Sequence, residues 1–257
     1  MSDDPKEHDL LQQSDTRERA IASGAIVVLM VLAWAYLIWL FWNTMAMSES
    51  TPSEFPFFFA MWAVMMVGMM TPSFTPTILA YVQLGHHSVI RNQPLAPAGW
   101  LLAGYLLAWL SFAVIASLAQ TALQETHLIA PTGSPNDYFS AIVLILAGLY
   151  QLSPMKDTCL SHCRVPLHFI QRNGGFSTGS LASLRLGLKN GLYCVGCCWA
   201  LMTVLFVVGV MQLLWIAILA VFILLEKVDP LEAGVTRRVS AFFLLGAGIV
   251  YLVKSLT

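Results

Sequence analysis

The chain has 257 residues, of which 58% are hydrophobic and only 11% are charged, and its formal net charge at pH 7 is −1. A soluble domain carries roughly a quarter charged residues, so this composition excludes an ordinary soluble domain and predicts a multi-pass membrane protein. A near-neutral chain offers no basic surface to nucleic acid, and the lipid bilayer is its expected environment.

Long apolar runs predict an all-α, polytopic bundle of six membrane-spanning helices. The charged residues 1–19 predict a short, disordered cytoplasmic tail, and residues 20–254 predict a single transmembrane domain. The predicted spans are approximately residues 20–42, 55–84, 98–123, 137–152, 194–225 and 239–253. A long polar loop, Ser153 to about Leu192, separates spans 4 and 5. Within it, Ser180 to Lys189 predicts a short amphipathic helix at the membrane surface.

Basic residues predict the orientation of the bundle through the positive-inside rule. With six spans and both chain ends in the cytoplasm, ten of the 13 Lys and Arg residues lie on the cytoplasmic side, namely Lys6, Arg17, Arg19, Arg91, Lys156, Arg164, Arg172, Arg185, Lys189 and Lys254. The exceptions are Lys227, Arg237 and Arg238. We therefore expect the inner (cytoplasmic) membrane, a cytoplasmic N-terminus and a cytoplasmic loop between spans 4 and 5.

The fifth apolar run leaves two chain paths open. As one helix it would be about 48 Å long, whereas the hydrocarbon core is about 30 Å thick. The run must therefore tilt or break near Gly209. The alternative to six spans is seven segments, in which span 5 folds back at Gly209 as a hairpin and brings the last loop to the cytoplasmic side.

All five cysteines fall within 40 residues of one another. Cys194, Cys197 and Cys198 begin span 5, and their spacing places them together on one helix face. Cys159 and Cys163 are four residues apart, with His162 between them. A reducing cytoplasm argues against a structural disulfide, and soft thiolates select Cu(I), Zn or iron–sulfur clusters. These six residues therefore predict a metal site, with a dithiol redox pair or simple burial of small thiols as alternatives.

Methionines form two stripes on span 2. Met65 and Met69 lie on one face, and Met66 and Met70 lie on a second face. Thioethers bind Cu(I) or Ag(I), and a Met-x-x-x-Met pair in a membrane helix resembles the selectivity element of eukaryotic high-affinity copper importers. The four methionines are predicted as further metal ligands, with core packing as the alternative. The prolines in Thr71–Pro76 should bend or break this helix just beyond the stripes.

Several functions are disfavoured by what the sequence lacks. It shows no catalytic triad, phosphate-binding loop or paired acid–base carboxylates, which argues against a hydrolase or a nucleotide enzyme. The predicted spans contain no charged residue at mid-depth, and proton-coupled pumps usually need one. An enzymatic role is therefore not favoured.

Three segments together resemble a known family. They run from Trp62 to Pro72, from Cys159 to Pro166, and from Gly191 to Met202, followed by Gly209 and Glu226-Lys227. With these motifs, residues 25–254 resemble a bacterial family described as predicted metal-binding integral membrane proteins, a domain of unknown function. The resemblance implies a membrane location and a metal site, without a settled reaction.

Three hypotheses for the function follow. The first is a soft-metal protein that acts in metal transport or delivery through its Met and Cys ligands, with Cu(I) as the favoured metal and Zn as the alternative. Its expected protein partner is another membrane protein or a metal carrier. The second is a membrane thiol–disulfide oxidoreductase that uses Cys194 and Cys197. The third is a non-catalytic assembly subunit whose motifs serve helix packing.

Overall fold

A computed structural model describes residues 5–46, 55–90, 96–126, 128, 135–173, 179–209, 212–228 and 234–256, without the side chains of residues 5–19, 44–46 and 85–90. These residues form ten α-helices and no β-strand, which confirms the all-α prediction. The helices are α1 (Pro5–Ala46), α2 (Phe55–Ile90), α3 (Ala98–Glu125), α4 (Asp137–Gln151), α5 (Pro154–Arg164), α6 (Pro166–Arg172), α7 (Ser180–Thr203), α8 (Leu205–Val208), α9 (Leu213–Val228) and α10 (Val235–Leu256).

Helix α1 begins at Pro5, inside the segment for which the sequence predicts a disordered tail, so residues 5–19 are helical. This segment is rich in Leu, Gln, Arg and Glu, which are good helix formers, and it continues directly into an apolar helix.

Among the residues that the structure describes, five stretches of helix are long and apolar enough to cross a membrane. They are Ala20–Asn43, Phe55–Leu84, Ala98–Glu125, Ser180–Val208 and Val235–Leu256. Helices α4 and α5 together would make a sixth, although the chain bends by 63° between them. Large apolar side chains on α1 and α10 face outwards, as lipid-facing residues do, and Phe242 and Phe243 are both more than two-thirds exposed. The fold is therefore compatible with a multi-pass membrane protein.

The chain reverses direction after α8. Gly209 has a φ of +95°, a conformation that only glycine adopts without strain. Lys227, near the end of α9, lies 2.9 Å from the Cys194 thiol although the two residues are 33 positions apart. A straight helix would separate them by about 50 Å. The hairpin is therefore the correct alternative, and a single tilted span 5 is wrong.

Helix α10 runs antiparallel to α4. The Lys254 ammonium lies 3.2 Å from Asp137 at the start of α4, and Ser240 accepts a 3.1 Å hydrogen bond from Gln151 at its end. Helix α10 therefore ends at the end of the bundle where α4 begins, opposite the junction of α4 and α5, whereas the six-span path places the end of the last span on the same side as that junction. We call the end where α3, α7 and α10 begin the inner end, because the positive-inside rule predicts it to be cytoplasmic.

The hairpin also removes most exceptions to the positive-inside rule. Lys254 leaves the inner end, whereas Lys227, Arg237 and Arg238 join it. With the other nine Lys and Arg residues kept where the sequence predicts them, the rule assigns 12 of the 13 to that side. This path satisfies the rule better than the six-span path did.

Helix α7 is longer than the sequence suggested. Ser180 to Lys189 is the beginning of α7 rather than a separate surface helix, because this segment packs against α3 through small residues. Cβ atoms built at Gly104 and Gly187 would lie only 2.0 Å from the carbonyl oxygens of Leu184 and Leu101, respectively. The cysteines of α7 consequently lie about 21 Å along the helix and not at its start.

Gly187→Ala is expected to destabilise the protein by about 1–3 kcal/mol, because the added methyl group forces α3 and α7 apart. The matched control is Gly246→Ala in α10, where a Cβ meets no atom within 4 Å and the better helix propensity of alanine favours folding by up to about 1 kcal/mol. Thermal unfolding in detergent measures both. Equal effects of the two substitutions would show that α3 and α7 are not in close contact.

A buried polar cluster joins α4, α5, α9 and α10 at the inner end. The Lys156 ammonium, which is fully buried, lies 2.7 Å from Glu226 Oε2 and also donates to Gln151 Oε1. Arg164 donates a 2.6 Å hydrogen bond to the Glu226 carbonyl oxygen. We call this cluster the inner clasp. It fixes α5 against α9, and it shows that Glu226 and Lys227 are not the ordinary interfacial pair that their position suggests.

Candidate metal site

Three thiols of α7 meet inside the bundle. The sulfur atoms of Cys194, Cys197 and Cys198 all lie within 4.8 Å of one another, and each side chain is 1% exposed. The Cys197 and Cys198 sulfurs are 3.2 Å apart. The spacing of three and four residues places these side chains on one helix face, which here turns towards the core. We call the three residues the thiol cluster.

The two cysteines of α5 lie beside the thiol cluster. The Cys163 side chain packs against the core cluster that contains Cys194, Cys197 and Cys198. The Cys159 sulfur packs against Gly196, where an added Cβ would come within 2.9 Å of it. Both side chains are less buried than the thiol cluster, and all five cysteines are free thiols. The two cysteine groups therefore share one pocket, although they come from separate helices.

A cation and two hydroxyls complete the surroundings of Cys194. Lys227 Nζ donates to the Cys194 sulfur over 2.9 Å and to Ser73 Oγ over 2.8 Å. The Tyr105 hydroxyl lies 3.2 Å from the same sulfur and donates a 3.0 Å hydrogen bond to the Met70 carbonyl oxygen. Sequence reasoning missed Lys227, Ser73 and Tyr105 as site residues. The proline-rich segment of α2 was the one signal, because such segments often expose backbone carbonyls to polar partners.

The methionine stripes of α2 are buried in the same core. Met65, Met66, Met69 and Met70 are each at most 2% exposed and belong to one apolar cluster with the three cysteines of α7. Met70 is level with the thiol cluster, since Tyr105 contacts both its carbonyl oxygen and Cys194. Met65 lies about 7.5 Å further along α2, towards the outer end. Metal binding by these thioethers stays a prediction.

His162 does not join the thiol cluster. Its Nδ1 lies 2.7 Å from the Thr158 carbonyl oxygen, and its ring stacks on Tyr193 with centroids 4.4 Å apart. Within the part of the chain that the structure describes, the three α7 cysteines are the only group of three or more Cys, His, Asp or Glu residues with ligand atoms this close together. His162 therefore lies outside this group, and its role as a metal ligand stays a prediction.

The redox interpretation loses one of its physical supports. The predicted span 5 begins at Cys194, and a helix N-terminus at that point would favour a thiolate through the helix dipole. Helix α7 begins at Ser180 instead, and the dipole effect falls off within the first turn. The cation that stands beside Cys194 is Lys227.

Three buried, converging thiols in a helical bundle form a site whose donor chemistry suits a soft metal ion. The chain belongs to the PpoB2 family, described as a copper chaperone, whose model matches residues 59–251. This range includes α3 to α9, all five cysteines and Lys227. No curated protein and no solved structure matches the chain. The family and the thiol cluster together support binding of a transition metal, with copper as the metal that the family description names.

Proposed function

We propose that this protein is a membrane-embedded copper chaperone that holds Cu(I) as cargo in the thiol cluster and delivers it to another protein. The observation that carries the proposal is the convergence of Cys194, Cys197 and Cys198 within 4.8 Å in the buried core. Thiolates are the side chains that favour Cu(I) over hard cations. The copper chaperone family to which the chain belongs supports the same cargo.

The geometry of the thiol cluster suits one ion. With metal–thiolate bonds of about 2.3 Å, a single ion can bridge sulfurs up to about 4.6 Å apart. The 3.2 Å between Cys197 and Cys198 is well inside this range, and the largest sulfur separation of at most 4.8 Å needs only a small adjustment. Two or three of these thiolates can therefore coordinate one Cu(I) without a rearrangement of α7.

Charge balance supports a role for Lys227 beside the cargo. Cu(I) held by two thiolates carries a net charge of −1, and a buried net charge is costly unless it is paired. The Lys227 ammonium, 2.9 Å from Cys194, supplies the compensating positive charge. Its second hydrogen bond, to Ser73, holds the ammonium in that position.

The methionine stripes fit the delivery half of the proposal. A neutral thioether is a weaker ligand than a thiolate but shares its preference for Cu(I). Met70 lies level with the thiol cluster, and Met65, Met66 and Met69 continue towards the outer end of the bundle within the same buried core. We infer that they pass Cu(I) between the outer half of the bundle and the thiol cluster.

Metal content tests the proposal directly. The protein is purified in detergent under anaerobic, chelator-free conditions and exposed to Cu(I), and its copper is measured by elemental analysis after gel filtration. We expect about one copper per chain, since one cluster of soft ligands is available. A protein that stays free of copper under these conditions would refute the proposed function, and one that retains Zn alone would refute the choice of cargo.

Lys227→Met is expected to weaken Cu(I) binding by about 10–100-fold, which is the usual effect of removing a partner of a metal ligand. Methionine keeps the length and most of the volume of the side chain, so the loss of Cu(I) affinity measures the contribution of the positive charge. Competition with a Cu(I) chelator of known affinity measures the change. Lys189→Met, five residues before Cys194 on α7, is the control and should leave the affinity unchanged. Equal affinities of both variants would contradict the counter-charge role.

A further inference from the structure

Helix α5 carries a stripe of three sulfur-containing side chains between the surface and the thiol cluster. Met155, Cys159 and Cys163 follow one another at intervals of four residues, so they share one helix face. Met155 is 68% exposed, whereas Cys159 and Cys163 are partly buried. We propose that this stripe is the route by which Cu(I) moves between the thiol cluster and a thiolate-bearing partner at the inner end. The inference rests on the proposed function.

Cys163 is the exchange ligand in this route. Its side chain packs against the core that contains the thiol cluster, and Cys159, one turn earlier on the same face, packs against Gly196 of α7, so Cys163 can bind the ion before the cluster releases it. A new copper–sulfur bond forms to Cys163 as one bond to Cys194 or Cys197 breaks. The proton of the Cys163 thiol moves to the sulfur that is released. Copper stays in the +1 state throughout, so the step needs no oxidant or reductant.

Met155 is the outermost ligand of the route. It lies in the first turn of α5, where the Ser153 side chain caps the helix by accepting a hydrogen bond from the Met155 amide. A thioether there can hold Cu(I) only weakly, so an incoming thiolate can remove the ion. Along α5 the ligands therefore become stronger and more buried towards the thiol cluster. Movement of Cu(I) from Met155 to the cluster is favourable, whereas its release at the inner end requires a partner thiolate that takes it up.

The inner clasp keeps the stripe turned towards α7. Lys156, one residue after Met155, is fixed to Glu226 of α9. Arg164, one residue after Cys163, donates to the Glu226 carbonyl oxygen. Helix α5 is thus held at both ends, and the stripe is a fixed path and not a lid that has to open.

The test measures how fast a water-soluble, Cu(I)-selective chelator extracts copper from the loaded, full-length protein in detergent. Cys163→Ser should retain copper in the thiol cluster, but its extraction should slow by at least about tenfold, because the exchange ligand is missing. Met155→Leu should slow extraction by about two- to threefold, since only the outermost weak ligand is lost. Ser161→Ala, an exposed position on α5, is the control and should match the unmodified protein.

The outcomes separate this inference from the proposed function. If the unmodified protein holds no copper, the proposed function fails and the route fails with it. If the protein holds copper but Cys163→Ser releases it at the unmodified rate, the route alone is wrong. A Cys163→Ser protein without copper would also overturn the route, because Cys163 would then be a permanent ligand.

A second readout needs no copper. In the metal-free protein, a charged, water-soluble maleimide should modify Cys163 and Cys159 before Cys194, Cys197 and Cys198, as peptide mass spectrometry can show. Earlier modification of the thiol cluster would mean that water reaches it by another path, which would overturn the route along α5.

Discussion

Lys156→Met is expected to destabilise the protein by about 3–5 kcal/mol, which is the cost of leaving one partner of a buried ion pair unpaired. Lys156 is fully buried and Glu226 is 2% exposed. The ammonium contacts both carboxylate oxygens, at 2.9 and 2.7 Å. Without it the Glu226 carboxylate keeps only a long hydrogen bond of 3.3 Å from Gln151. Thermal or denaturant unfolding in detergent measures the loss.

The chain provides a matched control for this prediction. Lys254 pairs with Asp137 at 3.2 Å, but its side chain is 67% exposed, and exposed ion pairs contribute at most about 1 kcal/mol. Lys254→Met should therefore change the stability little. A double variant, Lys156→Met with Glu226→Leu, should recover most of the lost stability, because replacing a whole buried pair by apolar residues is often neutral. If Lys156→Met costs no more than Lys254→Met, the inner clasp is not a buried ion pair.

The helices could be predicted from the sequence because long apolar runs in a chain with only 11% charged residues leave few alternatives to membrane-spanning helices. The path of the chain could not be predicted with the same certainty, since it depends on one residue. Gly209 either continues a helix or takes a positive φ, and glycine permits both. Lys227, Arg237 and Arg238 already violated the positive-inside rule in the six-span arrangement, so the correct hairpin was visible in the sequence as the minority alternative.

The thiol cluster could be predicted from local spacing, whereas its partners required tertiary structure. Residues 194, 197 and 198 share a face on any helix. His162 and Cys163 are neighbours about 100° apart around α5, and the rotation of α5 against α7 decides which of them faces the cluster. Cys163 does, and His162 turns to Tyr193. Lys227 reaches Cys194 only because the hairpin brings the end of α9 back to the level of the thiol cluster, so its role had no local signature.

Cys194→Ser combined with Cys197→Ser is expected to abolish copper binding. A serine hydroxyl is a hard oxygen ligand, whereas Cu(I) prefers soft sulfur, and only Cys198 of the thiol cluster would remain. Serine differs from cysteine by a single atom, so the packing of α7 should persist and the thermal unfolding temperature should stay close to that of the unmodified protein. Copper is measured by elemental analysis after anaerobic loading and gel filtration. Ser161→Ala, at an exposed position of α5, is the control and should leave the copper content unchanged.

The same variants distinguish a metal site from a redox site. For a copper chaperone, Cys194 and Cys197 should resist alkylation while copper is bound and react once it is removed. A thiol–disulfide oxidoreductase would instead show a reversible Cys194–Cys197 disulfide whether or not copper is present, detectable by differential alkylation before and after reduction. Retention of about one copper per chain in the double variant would place the cargo at other ligands. The buried thioethers of Met65, Met66, Met69 and Met70 would then be the first residues to replace, because they are the remaining soft donors in the same core.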